Sequence, residues 1–324
     1  MKKIYLYSVF LFMTAGVLMV SCKKDKPEPA PAPVPADTDS QSATDNSMAE
    51  AEFSQVVADV NNIGINEEGI QKQGSYSCDT NNVGHGTGLG LGGCVTATVT
   101  PCWSDTATWP KTVIWDFGTV GCLGWDGRFR KGTITVQFSA PWRNEGAVAT
   151  VTLQNYYVYH FYLGGYLLHT GSVILTNLTP GGIDTSLSAN IPKINIRVND
   201  APGMSGYATI QTTPNAIQWK SDRTYEQIAG HTTASDVMDD IVTLYGSGSG
   251  INRKGQNFDV TVLQTTKIRK AASCQWVEDG IITVDPTSPD LQPRTINFGY
   301  PNGNCDSLAT FQIGSGNPIE FIMQ

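Results

Sequence analysis

The chain has 324 residues, of which 21 are basic and 29 acidic, so its formal net charge is −8. Only 15% of its residues are charged, compared with about 25% in typical globular chains. Because nucleic acid binding needs clustered Lys and Arg, this sparse, acidic charge argues against a nucleic-acid partner. The 33 glycines and the frequent Thr, Val, Ile, Tyr and Trp favour strands joined by tight turns.

The chain starts with MKKIYLYSVFLFMTAGVLMVSC. Two lysines precede an apolar run from Ile4 to Val20, and Ser21-Cys22 follows. This order is typical of a secretory signal. A membrane-spanning helix is disfavoured because the apolar run is short and interrupted.

The same segment resembles the signal of a bacterial lipoprotein, in which cleavage before the cysteine is followed by its acylation. The resemblance implies that residues 1–21 are removed and that Cys22 carries a fatty acid such as palmitate. We therefore expect an exported chain, lipid-anchored in the bacterial cell envelope. The outer membrane is the expected location, with its periplasmic or surface face left open. A plain secretory signal with an unmodified cysteine is the alternative.

Residues 22–47 are rich in Pro, Ala, Ser and Asp and contain no aromatic residue. Such a segment cannot bury enough apolar surface to fold, and its prolines favour an extended chain. The composition predicts a disordered tether that holds the body away from the membrane.

A helix signal follows the tether, within residues 48–74. Ser47 can cap a helix that begins near Met48, and Glu50 completes a capping box. Four apolar residues then share one helical face, which predicts an amphipathic helix of about 14 residues packed on the body. They are Phe53, Val56, Val57 and Val60.

Everything after residue 75 has the pattern of strands separated by Gly, Asn, Asp and Pro. The predicted strands are Cys94–Val99, Thr112–Phe117, Gly132–Phe138, Ala147–Leu153, Tyr156–Leu163, Ser172–Leu178, Ile194–Val198, Tyr207–Thr212, Ala216–Ser221, Tyr225–Ala229, Asp240–Tyr245, Gln256–Thr265, Gly280–Val284, Arg294–Phe298 and Thr310–Ile313. Strands without intervening helices favour antiparallel sheets. We therefore predict a mainly β fold, a sandwich or a curved open barrel, with one N-terminal amphipathic helix. It forms two lobes, 75–206 and 207–324, or one continuous domain, and Asn199–Gly206 is the expected seam.

Six cysteines remain besides Cys22, and an even number in an exported protein indicates disulfides. No CxxC pair exists and no His lies at metal-ligand spacing from a Cys, so neither a metal site nor a cofactor is predicted.

Two segments, Cys94 to Cys122 and Cys274 to Cys305, share a pattern that suggests a duplicated unit. Each begins with Cys, returns through Pro-[Lys/Arg]-Thr-[Val/Ile] to a Phe-Gly pair, and closes on Cys. Folding each segment as a hairpin brings its two cysteines within disulfide distance. We predict the bridges Cys94–Cys122 and Cys274–Cys305, which leave Cys78 and Cys102 to pair.

Several runs of the sequence resemble uncharacterised lipoproteins of the Bacteroidota, a secreted and β-rich family. The runs are Ser21–Asp25, Thr112–Gly132, Gln218–Thr224, Ile296–Gly299 and Cys305-Asp306. The resemblance implies no assigned activity, and no catalytic residue follows from it.

No pattern indicates catalytic chemistry strongly. Asp116 and Asp126, near Arg128, suggest a calcium site or an acid–base pair. The favoured interpretation is a tight turn at Asp126-Gly127 with Asp116 on the solvent face of a strand, and Asp239-Asp240 is interpreted in the same way. The glycine-rich run 84–93 lacks the Lys-[Ser/Thr] of a phosphate-binding loop. The histidines are scattered, without triad spacing.

The aromatic run from Tyr156 to Tyr162 is the remaining functional clue. In a strand, Tyr157 and Tyr159 lie on one face, while Tyr156 and Tyr162 lie on the other. Aromatic residues on both faces suggest one buried face and one ligand platform, with these four tyrosines as candidates. The alternative is that they only fill the core.

These features favour a non-enzymatic envelope protein that acts as a binding or structural module. Its partner is an unknown glycan, lipid or protein. One alternative is a carbohydrate hydrolase that uses two carboxylates. The other is a lipid carrier with an apolar groove under a curved sheet.

Overall fold

The computed structural model describes residues 39–65, 84–85, 94–124, 128–160, 163–233, 239–271, 273–274, 276–299 and 303–322. Within them, one α-helix, α1 (Gln41–Ile65), precedes a series of strands. In chain order these are β1 Gly84–His85, β2 Thr96–Thr100, β3 Lys111–Asp116, β4 Cys122–Leu123, β5 Phe129–Phe138, β6 Val148–His160, β7 Gly165–Thr170, β8 Ser172–Asn177, β9 Lys193–Val198, β10 Ala208–Gln211, β11 Ala216–Ala229, β12 Ile241–Ile251, β13 Asn257–Val262, β14 Ile268–Ala271, β15 Ile281–Pro286, β16 Arg294–Asn297, β17 Leu308–Ile313 and β18 Ile319–Ile322. No helix in these ranges has the length and hydropathy needed to cross a membrane.

The strands form one antiparallel sheet, so the predicted mainly β class is confirmed. From β1 the order runs through β2, β3 and β5 to β6, whose far edge pairs with β7 and β8. Strand β7 then pairs with β10, and β8 pairs with β9. Strands β10 and β9 both pair with β11. The sheet continues through β12, β13, β15, β16 and β17 to β18. It therefore crosses the predicted seam at residues 199–206 without interruption.

Strand β6 joins two strands that the sequence predicted separately. Asn155 has φ 47°, and the pairing with β5 shifts register beside it, which is a β-bulge and not a turn. Gly132 of β5 faces this bulge, and a Cβ there would lie 1.9 Å from the Asn155 carbonyl oxygen. A glycine is therefore required where the two backbones approach.

Helix α1 begins at Gln41, earlier than the predicted Met48. Asp39 Oδ1 accepts a hydrogen bond from the Gln41 N–H over 2.9 Å and so satisfies one of the free donors of the first turn. Ser47 does not cap, because its hydroxyl donates to the Ala43 carbonyl within the helix. Residues 41–47 are consequently helical and do not belong to the tether.

Helix α1 is buried on much more than one stripe. On a helical wheel with 100° per residue, the buried residues of α1 cover an arc of about 220°. Met48 and Ala43 lie at the two edges of this arc, and Ala49 lies near its centre. None of residues 39–57 is exposed. A helix on a flat surface buries a narrower stripe, somewhat over about 100°, so the sheet bends around α1.

The predicted disulfides Cys94–Cys122 and Cys274–Cys305 are confirmed, with Cα atoms 5.5 and 5.6 Å apart. Cys102 is also disulfide-bonded, and its predicted partner, Cys78, lies outside the described residues.

Each of the two cysteine-bounded segments has a buried basic residue at the equivalent position of its pattern. Lys111 and Arg294 are the first residues of β3 and β16, and both are fully buried. Lys111 Nζ donates to three carbonyl oxygens of the preceding loop, including that of Cys102 at 2.9 Å. Arg294 Nε and Nη2 donate to the Asp39 carbonyl oxygen at 2.9 and 2.7 Å. The second unit therefore fastens the start of α1 to the sheet.

Candidate functional site

Strand β11 forms the floor of the helix groove, defined as the face of the sheet that receives α1. Because side chains alternate along a strand, Trp219, Ser221 and Arg223 share one face, and all three are buried. The Trp219 ring stacks on the Phe53 ring of α1, with centroids 5.6 Å apart. Its Nε1 donates to Asn46 Oδ1 over 3.0 Å. One tryptophan therefore holds α1 through both packing and a hydrogen bond.

A buried ion pair lies beside this tryptophan. Arg223 Nη2 and Nε donate to the two carboxylate oxygens of Glu50 on α1, over 2.9 and 3.2 Å. The side chains are 2% and 5% exposed, so the charges have little access to water. Such two-point arginine–carboxylate contacts fix orientation as well as position. Glu50 therefore faces the sheet and does not complete the predicted capping box.

A second buried carboxylate, Glu52, faces β6 and β7. Arg128 Nη2 donates to Glu52 Oε1, and His160 Nε2 lies 3.1 Å from the same oxygen. His169 Nε2 lies 3.1 Å from Oε2, while its Nδ1 lies 2.9 Å from the Leu167 carbonyl oxygen. Side chains from three separate strand regions thus converge on a single helical residue.

These partners determine the charge of Glu52. Burial raises the pKa of Glu52, but hydrogen bonds from His160 and His169, with the charges of His169 and Arg128, outweigh burial. The pKa of Glu52 is therefore held well below its usual value. The carboxylate stays ionised, and it attaches α1 to β6 and β7.

A third acidic residue, Asp45, anchors the first turns of α1. Its Oδ1 accepts from Arg253 Nε at 2.8 Å, and its Oδ2 accepts from the Arg253 main-chain N–H at 2.7 Å. Asp45 is fully buried, whereas the Arg253 side chain is 25% exposed. The helix groove therefore recognises an acidic helix through arginines placed along its length.

The opposite face of the sheet carries part of the predicted tyrosine platform. Tyr157 and Tyr159 are half-buried on that face. Tyr156 is buried on the helix side, where its hydroxyl accepts from Arg130 Nε at 3.1 Å. Tyr156 thus belongs to the core and not to an exposed platform, because alternation turns it inward. Tyr162 lies outside the described residues.

The structure adds neighbours that extend this outer surface into a row. Leu123 lies opposite Phe129, and Tyr159 lies opposite Tyr166. Arg130 of β5 pairs with Val158 of β6. Because the strands are antiparallel, the next position of this register places Phe129 opposite Tyr159. We call Leu123, Phe129, Tyr159 and Tyr166 the outer row. Leu123 and Phe129 are 46% and 42% exposed.

The outer row has a polar and cationic border. Lys131 Nζ lies 3.8 Å from the centroid of the Tyr166 ring, within the range of a cation–π contact. The Tyr159 and Tyr166 rings meet edge to face at 5.3 Å. Lys131 therefore covers one face of the Tyr166 ring.

The carboxylates considered for chemistry have structural partners. Asp116 is exposed on β3, on the solvent face that the sequence predicted, and its Oδ1 accepts from the Gly118 N–H at 2.8 Å. Asp240 Oδ1 accepts from Gln227 Nε2, and Asp239 accepts from a threonine hydroxyl. Asp126 lies outside the described residues.

One group of metal-ligand atoms occurs among the described residues: Cys274, Glu278 and Cys305. Both cysteines are joined in a disulfide. Neither offers the thiolate that binds zinc, so the group does not fit a metal site.

Sequence reasoning missed the charged residues of the helix groove. A signal was present, because Glu50 and Glu52 flank the apolar stripe of α1 instead of lying opposite it. Arg223 also occupies one of the alternating positions of β11 that are buried, on the same face of the strand as Trp219. Neither signal identifies which cation meets which carboxylate.

No protein-family model, curated protein or solved structure matches the chain.

Proposed function

We propose that the chain is a lipid-anchored binding protein of the cell envelope and that the outer row contacts a protein partner. The observation that carries this proposal is the alignment of Leu123, Phe129, Tyr159 and Tyr166 across four neighbouring strands. Contiguous apolar surface with a polar border is typical of protein-binding sites. Tyr and Phe are also enriched in such interfaces.

The two alternatives have less support. The space between α1 and the floor of the helix groove is a cavity of about 10 Å³, about the volume for one water molecule. A lipid chain in this space would have to displace α1. Glu50 and Glu52 are buried in ion pairs, whereas a glycosidase needs two carboxylates that reach a bound sugar.

Envelope anchoring rests on the signal at residues 1–22 and agrees with the disulfides, which persist in oxidising compartments. Cys22→Ser is expected to abolish incorporation of radiolabelled fatty acid and to move the chain from the membrane fraction to the soluble fraction. Lys23→Gln, one residue further on, should keep both label and location. Retention of label in Cys22→Ser would contradict the anchoring.

Photo-crosslinking in the bacterial cell tests the binding surface. With p-benzoylphenylalanine at Phe129 of the lipidated chain, we expect one protein adduct. Adding Tyr159→Ala should lower its yield about tenfold, the effect of losing about 1.4 kcal/mol of binding free energy.

The matched control places the same photo-reactive residue at Leu187, which is 55% exposed on the connection between β8 and β9. Leu187 should give no such adduct. Equal yields at the two positions, or an adduct at Phe129 that Tyr159→Ala leaves unchanged, would contradict binding at the outer row.

A further inference from the structure

A small cavity separates α1 from the floor of the helix groove. On the helix side its lining includes Glu50 and Phe53, and on the sheet side Trp219, Ser221 and Arg223, together with apolar side chains from β9 and β12. Its volume is about 10 Å³, which is about the space that one water molecule occupies by this measure. The cavity is thus too small for any organic ligand.

Two polar atoms at this cavity have no hydrogen-bond partner in the protein. They are Ser221 Oγ and Arg223 Nη1. The two residues are 1% and 2% exposed, and both line the cavity. A buried polar group without a partner is destabilising, and more so when it is charged. Two such atoms at one cavity therefore require a common explanation.

We propose that the cavity binds one structural water molecule. The water oxygen accepts a hydrogen bond from Arg223 Nη1, and the water exchanges a second hydrogen bond with Ser221 Oγ. The Glu50 carboxylate, which also lines the cavity, is available as acceptor for a remaining water hydrogen. Two to four polar partners are what a buried water needs.

Other occupants do not fit the same chemistry. A chloride ion would face the Glu50 carboxylate, which already balances the charge of Arg223. A metal cation would face the Arg223 guanidinium. An apolar guest would leave Ser221 Oγ and Arg223 Nη1 unpaired. Only a small neutral molecule that both donates and accepts hydrogen bonds satisfies the polar atoms of Ser221, Arg223 and Glu50 together.

The proposed water also explains why a serine occupies this buried position of β11. Ser221 lies between Trp219 and Arg223 on the buried face of the strand, where an apolar residue would pack directly against α1. A water-bridged serine instead adds a polar link next to the Glu50–Arg223 pair.

A crystal structure of the mature chain at about 1.5 Å resolution tests the proposal. We expect one electron-density peak within about 3.2 Å of both Ser221 Oγ and Arg223 Nη1, the upper limit of an ordinary hydrogen bond. Ser221→Val, which removes the hydroxyl and fills the space, should lose the peak. Ser221→Ala, a smaller change that keeps the fold, should lose it or displace it by more than about 1 Å, since one hydrogen-bond partner is gone.

Thr243→Val is the matched control. Its hydroxyl is also buried and without a partner, but Thr243 does not line the cavity, so the water should remain in place. An empty cavity in a well-ordered wild-type map would overturn the proposal. An unmoved peak in Ser221→Ala would overturn it as well, because the hydroxyl would then not be a ligand of the water.

Discussion

Replacing Arg223 with methionine is expected to lower the free energy of unfolding by about 3–5 kcal/mol, the usual cost of removing one partner of a buried ion pair. The reason is that the Glu50 carboxylate would lose its partner in a site where its side chain is only 5% exposed. The two hydrogen bonds at 2.9 and 3.2 Å that now compensate for lost hydration would be absent. Chemical denaturation of the mature chain at pH 7 measures the change.

A matched control is available on the same sheet. Arg197 pairs with Asp222 at 2.9 Å, but the two side chains are 36% and 34% exposed. Arg197→Met should therefore cost no more than about 1 kcal/mol, because exposed ion pairs contribute little. Equal losses in Arg223→Met and Arg197→Met would show that burial of the Glu50–Arg223 pair has no energetic role.

The double variant Glu50→Met/Arg223→Met separates the pair from its surroundings. Replacing both charges of a buried pair with apolar side chains is often close to neutral. We expect most of the loss in Arg223→Met to be recovered. A double variant as unstable as Arg223→Met alone would indicate that packing around α1, and not the uncompensated charge, dominates.

The strands and two disulfides were predictable because both follow from local rules. Alternation along the chain defines strand faces, and a hairpin brings the cysteines at its open ends together. The pairs Cys94–Cys122 and Cys274–Cys305 are separated by only 28 and 31 residues, so each lies within one such unit. Where the alternation is broken, as at the Asn155 bulge, the prediction divided one strand into two.

The helix groove was not predictable, because its partners are distant in the sequence. Glu50 and Arg223 are 173 residues apart, and Glu52 and His169 are 117 residues apart. Periodicity shows which face of β11 contains Arg223 but not what covers that face. The start of α1 was missed for a related reason: Asp39 caps it, while Ser47 and Glu50 offered a stronger local pattern.

The tyrosine run shows the same limit. Alternation correctly separates Tyr157 and Tyr159 from Tyr156, but it does not identify the buried side. That choice depends on α1, since Tyr156 lies beside His169 on the helix side, with ring centroids 5.8 Å apart. The outer row itself needs the pairing of four strands and so became visible only in the structure.

Acid is expected to weaken the attachment of α1 through Glu52. The pKa of Glu52 in the folded chain is held well below the ordinary value of 4.5 by its histidine and arginine partners. A carboxyl group with a lowered folded pKa contributes stability that is fully present above its unfolded pKa. That contribution is lost as the pH falls from about 4.5 through the folded pKa, because the unfolded state then binds the proton first.

Glu52→Gln tests this expectation, because glutamine resembles the protonated acid in size and charge. At pH 7 the variant should lose about 3 kcal/mol of unfolding free energy, the lower end of the cost of breaking a buried ion pair, because Arg128 is 26% exposed and keeps some hydration. Below pH 4.5 the free energies of wild type and Glu52→Gln should converge as Glu52 becomes protonated. Denaturation measured across this range distinguishes the outcomes. A constant difference at every pH would mean that the shape of the side chain, and not its charge, holds α1 against β6 and β7.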